Sequence, residues 1–341
     1  MDKINKNKII YIAGFPRSGT TWFANLLNSH SGTIYRHELI GRNHQTFGLS
    51  LYKKMKFDNG VSNEQHDIIM SRIFMAEPGT DRPPFFVKEK GTLKYPMFHH
   101  SLWLLAKTFP KALSKPYNWI FKIKADDSYK ILMKETGEAK FIESFRNSLR
   151  PYVTLFLVRN PLAAISSHIK GINRGSMPAI TNEEKRRRLE EIKNVAPEQA
   201  SVLAQLIPET MSDAVFFALK WRDYHEKVIA YCKKYNDYHI YLYDEIVADS
   251  RPQVHKILND VGLEWEQQVN DFIVESSGKG KPSNVLKKLD SIDSFYSVFR
   301  EPTFKKENWL ELMSEEEIEF ITLYTAPILN TVKQLCNKKK G

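Results

Sequence analysis

The chain has 341 residues, of which 42% are hydrophobic, and this is ample for a buried core in one large domain or two modest ones. Its formal net charge of +10 suits an anionic cofactor, an acidic acceptor, nucleic acid or a membrane surface as a partner. Two cysteines, Cys232 and Cys336, exclude a disulfide framework and a four-thiolate zinc site, and they are compatible with a reducing cytoplasm.

Short apolar runs alternate with longer helical patterns along the chain. This alternation predicts an α/β fold of three layers, in which helices flank a central and mostly parallel sheet. The predicted strands are Ile9–Ala13, Phe85–Lys88, Trp119–Ile123, Val153–Val158 and His239–Tyr243. The predicted helices follow Gly19, Asp126, Pro161, Thr210, Ser250 and Ser314.

The first predicted strand runs into a loop bounded by Gly14 and Gly19 and then into a helix. A helix N-terminus has free backbone N–H groups and a partial positive charge, so this arrangement can hold a phosphate-like anion. The nucleotide-binding pattern G-x-x-x-x-G-K-S/T has Lys after its second Gly, but Thr20 stands there and the cation of the loop is Arg17. The loop is therefore predicted to be P-loop-like without binding the β- and γ-phosphates of ATP.

The region 41–118 is less regular and rich in proline. We interpret it as an insertion at the carboxyl side of the sheet, where α/β proteins bind ligands. The alternative is a packing subdomain with no role in recognition. As part of an acceptor site, it would offer wall residues such as Tyr95, Phe98, His99 and Trp103.

A second candidate anion site follows the predicted strand Val153–Val158. Arg159 stands at the carboxyl end of that strand, Pro161 starts a helix, and Ser167 lies about two helical turns further on. A guanidinium group and a hydroxyl in these positions can share one phosphate. An arginine that only caps the edge of the sheet is the alternative.

Taken together, the two segments resemble the sulfotransferases that use 3′-phosphoadenosine 5′-phosphosulfate (PAPS). Residues 16–22 look like the loop that holds the 5′-phosphosulfate, and Arg159-Asn160-Pro161 with Ser167 looks like the 3′-phosphate site. The resemblance implies a single sulfotransferase domain over residues 1–341. It also implies transfer of a sulfuryl group from PAPS to a hydroxyl or amine of a carbohydrate, another small molecule or a lipid.

The same resemblance assigns roles to the loop. The backbone amides of Ser18, Gly19 and Thr20 and the hydroxyls of Thr20 and Thr21 would hold the sulfonyl and 5′-phosphate oxygens. Arg17 would neutralise charge on the bridging oxygen as the sulfuryl group leaves.

The remaining part of the cofactor site follows from the same resemblance. Trp22 would stack on the adenine, although an aromatic residue of the core is the alternative. Arg159 and Ser167 would bind the 3′-phosphate, which distinguishes PAPS from ATP.

The acceptor group needs a general base, because a hydroxyl is a poor nucleophile near neutral pH. Tyrosylprotein sulfotransferases have an Arg-Ser-Gly-Thr-Thr loop, then a helix that ends in a pair such as Ala-His, and then a catalytic Glu. Residues 17–21, the pair Ser29-His30 and Glu38 follow that layout. Heparan-type members also place a Glu there, and the Lys-Thr-His motif of cytosolic members is missing. Glu38 is therefore the predicted base, with His37 as its nearest competitor and a solvated Glu as the alternative.

A third cation is predicted at a strand end. Residues 119–126 resemble the Lys-Ala-Pro or Lys-Asp-Pro element in which a lysine contacts the bridging oxygen, and this assigns the role to Lys124. The match departs from the pattern because an Asp stands where Pro is usual, so Lys122 is an alternative. A rival cluster over residues 88–90 offers Glu89 or Lys90.

The end of the chain, residues 300–341, is predicted to be mainly helical. Arg300, Lys305, Lys306 and Trp309 are similar to a basic stretch that closes on the cofactor in some sulfotransferases. The loop at residues 276–281 is a second candidate for that role. Solvated basic loops without a ligand are the alternative for both.

No metal is expected, because side chains supply the positive charge that an in-line transfer needs and no cluster has metal-ligand spacing. No nucleic-acid module is recognised. The first apolar run ends at Ala13, too early for a secretory signal, and no stretch of ~20 apolar residues could span a bilayer, so we expect a cytoplasmic protein. A P-loop kinase-like enzyme and a non-catalytic protein that binds an anionic ligand are the rival functions.

Overall fold

A computed structural model describes residues 8–39, 63–124, 127–136, 142–143, 146–147, 151–195, 200–276 and 309–338. The described chain divides into two compact units. The first unit holds the described residues up to Val158 and those from Lys234 to Ser276, and the second holds Arg159–Lys233 and residues 309–338. The assignment of the whole chain to one domain stays a prediction.

Five parallel strands form the sheet of the first unit. They are β1 Ile9–Gly14, β2 Thr33–His37, β3 Lys130–Glu135, β4 Val153–Val158 and β5 Tyr238–Leu242. Their order across the sheet is β2-β3-β1-β4-β5. All six residues of the central strand β1 are buried, as expected for a parallel strand covered on both faces.

The described residues also form the following helices, with a 3₁₀ turn at Gly91–Lys94 between α2 and α3. They are α1 Thr20–Asn28, α2 Asn63–Ile73, α3 Pro96–Thr108, α4 Pro110–Phe121, α5 Pro161–Asn173, α6 Asn182–Val195, α7 Ala200–Leu203, α8 Asp213–Lys234, α9 Tyr243–Ala248, α10 Ser250–Asp260, α11 Gln267–Ser276 and α12 Glu315–Lys338. Within the described part of the chain, none of these helices is both long and apolar enough to cross a bilayer.

The predicted α/β class is confirmed. Strands β1 and β4 lie where the apolar runs predict them, and β5 begins and ends one residue earlier than predicted. Helices follow Gly19, Pro161, Thr210, Ser250 and Ser314, as predicted. The last of these begins with a reciprocal cap, in which the Glu317 amide donates to Ser314 Oγ (3.2 Å) and the Ser314 amide donates to Glu317 Oε2 (2.7 Å).

Two predicted strands and one predicted helix are wrong. The run Trp119–Ile123 contains the end of α4, because Tyr117 and Phe121 bury one helical face while Trp119 is 76% exposed. Residues 85–88 follow a pair of prolines, have no regular secondary structure and are not part of the sheet. The first element that is described after Asp126 is β3 rather than a helix.

The core of the first unit holds the loop after β1 in place. Phe23, Leu26 and Leu27 of α1 are fully buried against the sheet together with Ile10 and Ile12 of β1. Burial of each such side chain contributes roughly 1.5–3 kcal/mol. Because β1 and α1 are both anchored in this cluster, residues 15–19 are held at both ends.

Candidate functional site

The loop after β1 depends on its two glycines. A Cβ at Gly14 would lie 2.5 Å from Thr20 Cγ2 and 2.8 Å from the Leu157 carbonyl oxygen. Gly19 has φ 90° and precedes the first residue of α1, and a Cβ there would lie 2.5 Å from the ring of Tyr243. Only glycine allows the backbone to pass this closely at both positions.

The start of α1 keeps donors available for an anion. The Ser18 amide donates to the Phe15 carbonyl (3.0 Å), while Gly19 supplies no side-chain cap and the first turn contains no acidic residue. The hydroxyl of Ser18 is buried and has no hydrogen-bond partner among the described residues. The amides of a first helical turn have no intrahelical acceptor either. The loop therefore fits a phosphate or sulfate group.

Glu38 directly follows β2 and faces the neighbouring strand β3. Its amide donates to the carbonyl of Lys134 (2.8 Å) and its carboxylate forms an ion pair with Lys134 Nζ. The same carboxylate accepts a hydrogen bond from Thr136 Oγ1 (2.6 Å), and its second oxygen lies 3.9 Å from His37 Nε2. Two hydrogen bonds and a nearby ring thus hold one carboxylate at the carboxyl end of the sheet.

These contacts decide the charge of Glu38. Burial raises the pKa of this carboxyl, but the positive charge of Lys134, the nearby His37 and the hydrogen bonds from Lys134 and Thr136 outweigh burial. The pKa of Glu38 therefore lies well below its ordinary value, and the group is ionised at neutral pH.

His37 is held from its other side by Tyr35. The Tyr35 hydroxyl lies 2.6 Å from His37 Nδ1, and burial, followed by the charge of Glu38, raises the pKa of Tyr35 well above its ordinary value. Tyr35 therefore keeps its proton and can donate it to Nδ1. A neutral His37 then has its own hydrogen on Nε2, the nitrogen that faces Glu38.

Arg17 and Glu38 share an unusual backbone conformation. Arg17 has φ 70° and Glu38 has φ 43°, and no other non-glycine residue of the described chain has a positive φ. This region costs energy for a residue with a Cβ, and such strain collects at functional sites. One of the two residues lies in the loop after β1 and the other directly after β2.

The lysine that pairs with Glu38 is Lys134, a residue that the sequence does not single out. Lys134 lies on β3, between β1 and β2, and is 2% exposed. Lys124 is exposed and precedes the amino end of β3, whose six residues span about 20 Å. The strand-end position predicted for Lys124 is therefore wrong. Lys122 and Lys90 are exposed as well.

The other predicted cofactor residues lie as follows. Trp22 is half-buried, donates through Nε1 to Ser276 Oγ (3.0 Å) and meets the ring of Tyr243 edge-on at 5.7 Å between centroids. Thr20 is buried, and the carbonyl of Thr21 accepts from Asn25 Nδ2 (2.9 Å).

Arg159 and Ser167 both belong to the second unit. Arg159 directly follows β4, and Asn160 caps α5 by accepting a hydrogen bond from the Leu162 amide (2.9 Å). Ser167 is half-buried on the same helix. Arg300, Lys305, Lys306 and the loop after Ser276 lie outside the described residues.

Strand β2 is joined to the segment after it by a buried polar chain. Arg36 Nη1 donates to Asp81 Oδ1 (2.6 Å), the Tyr117 hydroxyl donates to Asp81 Oδ2 (2.9 Å), and His99 Nε2 lies 2.8 Å from that hydroxyl. Burial raises the pKa of Asp81 to about 6, even with Arg36 beside it. Burial lowers the pKa of His99 to about 3, so its ring is neutral at pH 7.

Arg36, Asp81 and His99 of these polar contacts line a cavity of about 30 Å³, which has room for ordered water rather than for an acceptor. Lys88 lies at the same cavity and donates to the carbonyls of Asn28 and His30 (2.9 Å to the latter) and to Asn28 Oδ1 (3.1 Å). It thus satisfies carbonyl groups at and beyond the C-terminal end of α1, the end opposite to the anion loop. Burial lowers the pKa of Lys88 to about 7.

Across the ranges that the structure describes, no three His, Cys, Asp or Glu side chains come together as a metal site. Arg17 after β1 and Lys134 on β3 are side-chain cations near the carboxyl end of the sheet.

The solved structures that align with this chain include several sulfotransferases. That of the Synechococcus PCC 7002 olefin synthase aligns over 95% of this chain and 97% of its own, with 14% identity and a TM-score of 0.43. That of the curacin biosynthetic pathway aligns over 93% and 97%, with 13% identity and a TM-score of 0.44. Mouse sulfotransferase SULT7A1 complexed with PAP aligns over 98% and 89%, with 12% identity and a TM-score of 0.47.

No curated protein matches the sequence significantly. The family model of the sulfotransferase domain, however, matches residues 7–333, which is nearly the whole chain. The loop after β1 and the carboxylate after β2 lie within that match. The chain belongs to the sulfotransferase family and is a sulfotransferase.

Proposed function

We propose that this sulfotransferase uses PAPS as its donor and transfers the sulfuryl group to a hydroxyl or amine of an acceptor. Glu38 is the general base, and Arg17 and Lys134 are the catalytic cations. The observation that carries the proposal is that Arg17 and Glu38 are the two non-glycine residues with positive φ in the described chain. Strain of this kind is retained where the surroundings require one particular geometry.

The donor supplies a sulfuryl group whose sulfur–oxygen bond to the 5′-phosphate breaks as a bond to the acceptor oxygen or nitrogen forms. Glu38 accepts the proton that leaves this acceptor group. Arg17 and Lys134 neutralise the charge that develops on the bridging oxygen, and the amides after Ser18 bind the equatorial oxygens. Preorganised donors of this kind stabilise a transition state because they need no reorganisation during the reaction.

Lys134 has two partners in this scheme. Its ion pair with Glu38 keeps the carboxylate ionised, but a carboxylate with a very low pKa is a weak base. When Lys134 turns toward the bridging oxygen, Glu38 loses that stabilising charge and its pKa rises. The donor and the base are then coupled through one lysine, so proton acceptance is favoured when the donor is bound.

The donor site fits a phosphosulfate better than ATP. Thr20 stands where a nucleotide-binding P-loop has its lysine, and the buried hydroxyl of Ser18 is available to an oxygen of the ligand. Arg159 and Ser167 are proposed to bind the 3′-phosphate, on the strength of their sequence pattern. No metal enters the scheme.

Binding measurements test the donor. We expect tight binding of PAPS and of its desulfonated product by titration calorimetry without Mg²⁺, and weak binding of ATP and ADP. Arg159→Gln should weaken only the binding of nucleotides with a 3′-phosphate, while Lys170→Gln, which changes an exposed residue of the following helix α5, should change nothing. A preference for Mg·ATP would overturn the proposal in favour of a kinase-like enzyme. Binding to nucleic acid that falls steeply with salt would favour a non-catalytic protein.

The acceptor class is proposed as a carbohydrate, another small molecule or a lipid. A transfer assay with radiolabelled PAPS over glycans, lipids and tyrosine peptides identifies it. Labelled product with the wild type, and none with Glu38→Gln, is the result we expect. Label on tyrosine peptides alone would contradict the proposed class.

A further inference from the structure

Helices α3 and α4 form a hairpin that exposes large apolar side chains on its outer side. The first turn of α3 meets the last turns of α4, because His99 stacks on Phe121 (4.0 Å between ring centroids) and bonds to Tyr117. Phe109 is the single residue between the helices and is 58% exposed. We call the exposed apolar side chains the hairpin surface; they are Met97, Phe98, Leu104, Leu105, Phe109 and Trp119.

Helix α3 carries apolar side chains on its exposed face as well as on its buried face. On α3, His99, Trp103 and Ala106 recur at helical spacing and are buried, whereas Leu104 and Leu105 lie on the opposite side and are each 46% exposed. The outer face of a surface helix is ordinarily polar. An exposed apolar patch on a folded domain indicates a binding surface.

The segment that contains the hairpin carries side-chain charge of one sign. Residues 90–124 contain seven lysines and no aspartate or glutamate, and all seven lysines are exposed. On α4, Lys111, Lys115 and Trp119 follow one another at a spacing of four residues, so they share one outward face. Aromatic and aliphatic groups thus lie beside a dense positive field.

We propose that the hairpin surface docks the protein on an anionic phospholipid bilayer. Leucine, methionine and phenylalanine side chains suit the acyl boundary, and an exposed tryptophan suits the headgroup level. Lysines beside such a face attract an anionic leaflet, at about 1 kcal/mol for each residue close to the surface. The surface lies on the membrane without spanning it.

The hairpin surface suits a bilayer better than it suits a second copy of the chain or a nucleic acid. A second copy of the chain would bring seven lysines against seven lysines, and like charges in contact oppose association. A nucleic acid would match the lysines, but it offers no apolar surface for Leu104, Leu105 and Met97. A bilayer with acidic headgroups offers negative charge for the lysines and an acyl region for the apolar side chains.

The hairpin is also firmly attached to the strand that precedes Glu38. Tyr117 of α4 bonds to Asp81, and Asp81 is paired with Arg36 of β2. Trp103 of α3 donates to the carbonyl oxygen of Asp81 as well (2.7 Å). Docking through the outer side of the hairpin therefore leaves its inner contacts intact.

Vesicle flotation with the full chain tests the proposal, and it needs neither donor nor acceptor. The wild type should float with vesicles of phosphatidylcholine and phosphatidylserine and should remain unbound with phosphatidylcholine alone or in high salt. The double variant Lys111→Gln/Lys115→Gln should bind roughly 30-fold more weakly, which corresponds to two lysines near the surface. The double variant Phe109→Ser/Trp119→Ser should lose binding at least about tenfold through lost burial.

Matched variants elsewhere control for general charge and apolarity. Leu310→Ser/Leu323→Ser removes side chains that are 61% and 68% exposed in the second unit and should leave flotation unchanged. Arg187→Gln/Lys193→Gln removes two exposed charges of α6 and should also bind as the wild type. Circular dichroism and thermal melting establish that every variant is folded.

Three results would overturn the proposal. They are equal flotation with neutral and anionic vesicles, unchanged flotation of both hairpin variants, and a wild-type dimer that Phe109→Ser/Trp119→Ser converts to a monomer while no lipid binds. Sulfuryl transfer is measured separately on soluble acceptors, so failure of the docking proposal leaves the proposed reaction open to its own test.

Discussion

The side chain of Lys134 reaches from β3 to the carboxylate of Glu38, which directly follows the neighbouring strand β2. Lys134 is almost wholly buried, and the Glu38 side chain is 21% exposed. Replacing one member of such a largely buried ion pair lowers the unfolding free energy, because the remaining charge is then left without a partner. In the proposed mechanism, this ion pair links the base to one of the catalytic cations before a ligand binds.

Removing the base should leave donor binding in place. Glu38→Gln keeps the size of the side chain and one hydrogen-bond acceptor but cannot accept the acceptor group's proton. We expect turnover to fall by about 10²–10⁴-fold, the usual contribution of a general base. Steady-state kinetics and calorimetry with PAPS measure the two properties separately. Glu264→Gln, which changes an exposed carboxylate of the same unit, is the control and should match the wild type. Unchanged turnover of Glu38→Gln would remove Glu38 from the mechanism.

Removing the charge of Lys134 should move the acid limb of the pH–rate profile. Lys134 lowers the pKa of Glu38, so in Lys134→Met that pKa rises and burial raises it further. Because the ionised carboxylate is the active form, the acid limb of kcat/KM should shift to higher pH by about 1 to 3 units. Lys134→Arg keeps the charge and should keep the limb near its wild-type position. An acid limb of Lys134→Met at the wild-type pH would contradict this coupling.

The contact between Tyr35 and His37 distinguishes the two candidate bases. Tyr35→Phe removes the hydroxyl that binds His37 Nδ1, at a cost of about 1 kcal/mol in unfolding free energy. If Glu38 is the base, the acid limb of kcat/KM should stay in place and turnover should fall by less than about tenfold. A new limb near the ordinary pKa of histidine would assign the base to His37 instead. The same profile measured on His37→Asn provides the comparison.

Gly19 should be intolerant of a side chain for two separable reasons. Gly19→Ala adds a Cβ at φ 90° and within 2.5 Å of the Tyr243 ring, whereas Gly91→Ala adds one at φ 63° with nothing within 4 Å. The second variant measures the backbone cost alone, about 1 kcal/mol. We expect Gly19→Ala to be destabilised by a further 1–3 kcal/mol or so and to bind PAPS weakly. Equal urea midpoints for the two variants would contradict the crowding around the loop.

Lys88 should make stability depend on pH in the alkaline range. Its pKa is about 7 in the folded protein, below the ordinary value of 10.5, because the side chain is buried. Between these two values the unfolded chain binds the proton and the folded chain does not, so the unfolding free energy rises with pH. The contribution is at most about 1.4 kcal/mol per pH unit. Lys88→Met should lack this rise in urea titrations at pH 7, 8 and 9, and an identical slope in both proteins would contradict the lowered pKa.

Much of the sheet could be predicted because its central strands are plain apolar runs. Residues 9–13 and 153–158 are almost entirely apolar and lie in buried positions. Strand β3 has only Ile131, Leu132 and Met133 between two lysines, which a search for apolar runs passes over. Those lysines are tolerated because Lys130 lies over the Tyr152 ring (4.9 Å) and Lys134 pairs with Glu38. Both partners are distant in sequence.

The candidate site was predictable to a similar extent. The loop and the layout of the family single out Arg17 and Glu38, whose catalytic roles stay predictions, and the structure adds their shared positive φ. Lys134 could not be placed without β3, because only the register His37↔Lys134 shows which lysine lies beside the base. The predicted roles of Arg159 and Ser167 toward the donor stay predictions.

The amide of His37 donates to the carbonyl of Thr80 (2.8 Å), although β2 is the outermost strand on its side of the sheet. Uncovered strand edges recruit other chains and lead to aggregation. The segment that carries the hairpin therefore also shields the sheet from intermolecular β-pairing. We expect an enzyme engineered without residues 63–121 to aggregate, as light scattering would measure, so exchange of this segment between relatives must retain the contact at Thr80.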